Sequence, residues 1–229
     1  MSTPSPKLIE LLRSRLSAPR FDRYVRAVPG GDHERALALY LWNREASAAL
    51  FKGLALVEVI LRNALADQLE ETYGQDWWQP DRANAPPLTS RHRQDIGDAL
   101  ARVARGRSGA PPTGGQVVAE LSLGFWRFLL TNTYRGTLWP RALVRAFPYL
   151  PGRDRNTASR EVAAMNQLRN RIAHLEPIYH LDLRAEHQRL LRITGYICPE
   201  IAAWVDRESS VSQVLAARPQ LRARRRRRS

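Results

Sequence analysis

Apolar residues recur along this chain every three or four positions, the period of a helix rather than of a strand. The segment KLIELLRSRL (7–16) shows it first. Pro19 then opens a short second segment, RFDRYVRAV, which ends at Pro29-Gly30-Gly31. From Asp32, a side chain suited to capping a helix N-terminus, the pattern holds to Tyr73, and Gly74 stops it. That exceeds one ordinary globular helix, so the spacing predicts a break near Lys52-Gly53. After the loop DWWQPDRANAPPLTS, residues 90–105 read as a helix, and GRSGAPPTGG (106–115) reads as a flexible connection. VVAELSLGFWRFLLTNTY reads as one helix with an apolar face of Leu121, Phe125, Phe128 and Leu129, and LWPRALVRAF (138–147) as a shorter one. Thr157 is placed to cap a helix running to about Glu176, because Pro177 disfavours helix at the residue before it. Another helix spans 182–197 and breaks at Pro199, and two short pieces, EIAAWVDRE and SVSQVLAAR, complete the pattern. Few segments alternate as strands do. The expected fold class is all-α, a helical bundle. It divides into a helical extension (1–31), a main helical domain (32–208), and a C-terminal helix with a disordered Arg-rich tail (209–229).

Composition adds charge to this picture. Hydrophobic residues make up 44% of the 229, enough for a core. The single cysteine, Cys198, excludes an internal disulfide and fits a cytoplasmic protein. The N-terminus has no apolar run of signal-peptide type, and the most apolar stretch, ALFKGLALVEVILRNAL, is interrupted by Lys52, Glu58 and Arg62, so no membrane span is expected. The net charge is +14, and setting aside the six arginines of the last eight residues, RARRRRRS, still leaves +8. Such a surface favours polyanions, nucleic acid foremost, with Arg222, Arg224 and Arg225 of the tail and Arg171 as candidate RNA contacts. A purely compositional origin of the arginines is the alternative. No Gly-rich phosphate loop, no cofactor motif and no zinc-type Cys/His cluster occurs.

The candidate chemistry lies in LRNRIAH, 168–174. On a helix Met165, Leu168, Ile172 and Leu175 form an apolar stripe expected to face the core. Asn166, Arg169, Asn170, Ala173 and His174 form the stripe beside it. Arginine offers a planar fork of donors matched to phosphate oxygens, histidine moves a proton near neutral pH, and asparagine orients either without adding charge. That set suits cleavage of a phosphodiester without a metal. The competing reading is a solvated helix end, where a cation such as His174 complements the dipole.

RNRIAH fits the R-x4-6-H pattern of the HEPN superfamily, and LRNRIAHLEPIY resembles its Abi-like (abortive infection) branch. FKGLALVEVILRNAL resembles the Abi-like helix in which a glutamate precedes an LRN tripeptide, and LSLGFWRFLLTNTYRGTLW resembles the segment between the two LRN helices. The likeness spans roughly 40–204. Many such proteins carry a second histidine after the first; here that position is Leu175. The resemblance implies a HEPN-like bundle with additional helices, paired as a homodimer, with two motifs facing across a basic cleft. It implies a metal-independent endoribonuclease used as a toxin or antiphage effector, held in check by an antitoxin protein or a regulatory RNA. Arg169 and His174 would be its catalytic pair and Asn170 an orienting residue. Glu58, Arg62 and Asn63 of the first LRN helix would support Arg169, although Glu58 and Arg62, four apart, also suit a simple partly buried pair. Some HEPN proteins hold RNA without cutting it, and a helical interaction protein is the third possibility. His33, His92 and His187 show no constellation, His180 lies in a loop after Pro177, and Trp77-Trp78 are candidates for stacking on unpaired bases.

Overall fold

The computed structural model describes residues 4–79, 82–105 and 111–220, and among them the chain is all-helical, with no strand. Two short helices, α1 (Pro6–Arg15) and α2 (Ala18–Ala27), lead into the long α3 (His33–Tyr73). Then come α4 (Ser90–Arg105), α5 (Gly114–Glu120), α6 (Leu123–Leu129), α7 (Leu138–Arg141), α8 (Arg155–Ala173), α9 (Leu183–Ile197), α10 (Pro199–Arg207) and α11 (Val211–Ala216).

The mast of the fold is α3. Its 41 residues rise about 60 Å. The Asp32 carboxylate caps it, accepting from the amides of Glu34 (2.9 Å) and Arg35 (3.1 Å), and Gly74 at φ 95° ends it. The expected break at Lys52-Gly53 is absent. Gly53 instead lets α9 approach: a Cβ built there would lie 3.4 Å from Leu190 Cδ1. The glycine marks a helix crossing, and packing on both sides overrides its weak helix propensity.

Three other boundaries differ from the sequence expectation. The region read as one helix around 117–134 turns at Leu121-Ser122, where extended Leu121 ends α5 and the Ser122 hydroxyl caps α6 by accepting from the Phe125 amide (3.3 Å). Residues 138–147 divide at Ala142 (φ −135°, ψ −65°) into α7 and a 3-10 turn. Asp154, not Thr157, caps α8, accepting from the amides of Asn156 and Thr157, both at 3.0 Å, and from the Thr157 hydroxyl at 2.7 Å. These hydrogen bonds, the Thr157 hydroxyl first, hold the Asp154 carboxyl below its ordinary range. Of GRSGAPPTGG, residues 106–110 lie outside the described residues, and Gly114 and Gly115 open α5.

The core runs from Ile9, Phe21 and Tyr24 at one end of the chain to Val211 at the other. Both flanking segments therefore bury side chains in the same core as the main helices. Trp42 of α3 donates its indole N–H to the Val214 carbonyl (2.8 Å), and the Arg218 guanidinium lies 4.9 Å over the Trp42 ring. No helix among the described residues is long and apolar enough to cross a membrane.

Candidate nucleic-acid site at the end of α8

The chain turns sharply where α8 ends. Met165, Leu168 and Ile172 are buried as the stripe requires, but Leu175 is 70% exposed. It has left the helix. Its amide bonds to the Ile172 carbonyl (3.0 Å) and the Glu176 amide to the Arg171 carbonyl (2.8 Å), the paired bonds of a Schellman turn. Leu175 occupies the left-handed position of that turn, φ 56°, where glycine is usual. The helix thus stops at Ala173, short of the predicted Glu176, and His174 becomes its exposed C-cap.

Asn43, a polar residue buried within α3, anchors the segment after the turn. Its side-chain oxygen accepts from the amides of Ile178 (2.8 Å) and Tyr179 (2.9 Å), which clamps residues 178–179 to α3. Sequence reasoning passed Asn43 over. Its signal was an amide at a core position of the run LYLWNREASAAL.

Arg169 points toward α3. Its Nε lies 3.6 Å from Glu58 Oε2, an ion pair but not a hydrogen bond, so Nε keeps no hydrogen-bond partner. Glu58 thus pairs with Arg169 rather than with Arg62. Arg62 donates to the Ala119 carbonyl (3.5 Å), and its Nε is buried without a partner. Asn63 is exposed and makes no side-chain hydrogen bond among the described residues. Beside Arg169 opens a groove of about 630 Å³ between α2, α3 and the end of α8. Tyr24, Tyr40 and Asn43 line it, with Arg20, Arg44 and Arg169 as its cations and Glu45 and Glu176 as its carboxylates. The Tyr24 ring packs 5.3 Å from Tyr40 and 5.1 Å from Tyr179, and burial, with these two neighbours, pushes its phenol above the ordinary range. Phe51, 45% exposed, borders the same groove.

Asn170 and His174 are exposed and do not line this groove. Five residues apart on a helix, Arg169 and His174 diverge by about 140° around the axis. One chain therefore presents the two on different faces. Arg171 pairs with Glu176 at 3.7 Å and does not itself line the groove. Arg222, Arg224 and Arg225 lie outside the described residues.

Elsewhere the structure answers the remaining candidates. Trp77 and Trp78 are buried, so they cannot stack on bases. His92 does have a constellation. It is fully buried, with Nδ1 2.8 Å from the Tyr134 hydroxyl and 3.0 Å from that of Thr89, and Nε2 3.4 Å from the Phe125 carbonyl. A carbonyl only accepts, so the proton sits on Nε2 and the Tyr134 hydroxyl donates to Nδ1. Burial pushes its pKa down, keeping the ring neutral. This is a core histidine. His187 is also buried, 3.2 Å from Asp206. Among the described residues no group of three His, Cys, Asp or Glu side chains could hold a metal ion. The chain matches no family model, no curated protein and no solved structure.

Proposed function

We propose that this chain is a HEPN-like, metal-independent endoribonuclease that works as a homodimer and serves as an abortive-infection effector or toxin, restrained by an antitoxin protein or a regulatory RNA. The observation that carries the reading is the division of labour at the end of α8. Glu58 and the groove wall hold Arg169, while Asn170 and His174 stand free on the adjoining exposed face. The divergence of Arg169 from His174 favours a composite site, in which the arginine of one protomer serves the histidine of its partner. Histidine takes the proton of a ribose 2′-OH, whose oxygen attacks the adjacent phosphorus. The 5′-oxygen leaves and is protonated, and a 2′,3′-cyclic phosphate remains. Arginine stabilises the added charge on the pentacoordinate phosphorus. Each effect is worth roughly 10²–10³-fold in rate.

The test is cleavage of a mixed RNA pool, with EDTA present, by wild type and by His174→Ala. The expected result is cutting to cyclic phosphate ends by wild type, with the variant binding RNA but not cutting it. Equal cutting by both overturns the role of His174. A second reading, RNA binding without chemistry, draws on the position of His174 outside the groove. It predicts salt-sensitive binding by both chains and cleavage by neither.

A further inference from the structure

A second concavity lies next to the groove and shares Glu176 of the Schellman turn with it. Its volume is about 330 Å³, and its walls carry Arg23 and Arg26 of α2, Arg171 of α8, and the His180 imidazole. Glu176 is the one carboxylate, 3.7 Å from Arg171 and engaged by it. We propose that this cleft binds the phosphate backbone of single-stranded RNA beyond the scissile position; the inference rests on the RNA reading above.

Three features support it. First, Arg23 and Arg26 form no ion pair and no side-chain hydrogen bond among the described residues. The nearby carboxylate of Asp22 is taken by Arg13, at 3.0 and 3.3 Å. Cations three apart on a short helix repel each other; Asp22 attracts Arg26 at a distance, but among the described residues no carboxylate is hydrogen-bonded to either arginine, as a phosphodiester would be. Second, the walls are fixed in advance. The Tyr179 hydroxyl donates to the Arg23 carbonyl (3.1 Å), Asn43 holds the Tyr179 amide (2.9 Å), and Arg218 donates to the Tyr179 carbonyl (2.9 Å). A cleft braced on both sides needs little ordering when a ligand enters. Third, Arg171 stands three residues before His174, one turn away on the same helix end. A strand presented to His174 continues past Arg171 onto α2. Arginine forks grip phosphate oxygens without reading the base, so the site adds affinity and register rather than sequence choice.

The experiment measures binding of a mixed-sequence single-stranded RNA of about 20 nucleotides by fluorescence anisotropy across a salt series, with EDTA. The His174→Ala chain serves as background so that the RNA stays whole. Arg23→Gln/Arg26→Gln is expected to weaken binding about tenfold near 0.1 M salt and to lower the slope of log affinity against log salt by about 1.4, two single-strand phosphate contacts at about 0.7 each. Arg23→Lys/Arg26→Lys is expected to keep most of the slope, which separates lost charge from lost folding. A control pair, Arg135→Gln/Arg207→Gln, changes net charge equally at exposed arginines elsewhere and is expected to leave the slope unchanged. Equal losses from both Gln pairs, or no loss from the first, overturn the proposal while the RNA reading stands. Failure of every chain to bind RNA overturns both.

Discussion

The two halves of α3 keep different company. Toward its C-terminal end, and just beyond, Trp77 meets Phe125 and Trp126, and His92 sits among Phe125, Phe128 and Tyr134, with ring centroids 4.7 to 6.4 Å apart. Trp126 is wholly buried and the His92 nitrogens have partners, while the indole N–H groups of Trp78 and Trp126 and the Tyr73 hydroxyl are buried without one. Toward its N-terminal end, the same helix borders the open groove at the end of α8, where Arg169 Nε lacks a hydrogen-bond partner, Asn170 and His174 are exposed, and Leu175 is held at positive φ. The first region is packed as an apolar, aromatic core. The second exposes the polar side chains of Asn170 and His174 and holds an apolar side chain in water at positive φ, departures from packing that accompany sites rather than cores.

That contrast breaks most visibly through Trp126. Replacing it with Ala should lower stability by roughly 3–5 kcal/mol, read from denaturant midpoints. His174→Ala should stay within about 0.5 kcal/mol of wild type, as exposed substitutions do. Comparable losses from both would erase the distinction between the two ends.

His92 gives the next largest effect, through pH. Its folded pKa lies below the ordinary 6.5, so the unfolded chain takes up a proton first as pH falls. The contribution is complete above about pH 6.5. Below that the loss approaches about 1.4 kcal/mol per pH unit until the folded pKa is passed. His92→Phe should flatten the stability profile just below pH 6.5, whatever it does to stability at neutral pH. An unchanged profile would mean that the ring is not confined as described.

The smallest effect is at Leu175. Glycine there relieves about 1–2 kcal/mol of left-handed strain and adds about 0.4–1 kcal/mol of unfolded-chain entropy. Leu175→Gly should therefore leave stability unchanged or raise it slightly, by about 0–1.6 kcal/mol. A marked loss would show that the exposed leucine is covered by something in solution.

Most of the helices were legible from their period and their caps, because Asp32, Gly74, Asp182 and Pro199 act locally. What the pattern misjudged depended on neighbours distant in sequence. Gly53 signals a break until Leu190 is seen against it. Asp154 and Thr157 are both good caps, and only backbone geometry chooses between them. Leu175 continues a perfect apolar stripe, yet the chain leaves the helix there, and the segment beyond the turn is anchored by Asn43 across the fold. In the candidate site, LRNRIAH was visible at once. The Glu58–Arg169 pair was accessible as a support role, but the four-residue spacing from Glu58 to Arg62 competed with it. The cleft formed with α2 was not accessible, since Arg23 and Arg26 lie about 150 residues before Arg171 and look like any solvated helix face.

The central claim is a site completed by two chains, and subunit mixing tests it most directly. Arg169→Ala and His174→Ala chains, each inactive alone, are unfolded together, refolded and assayed on RNA with EDTA. Half of randomly paired dimers are mixed, and each holds one intact arginine–histidine pair across the interface, so about a quarter of wild-type cleavage is expected to return. No return of cleavage from a mixture that forms mixed dimers would contradict the composite site.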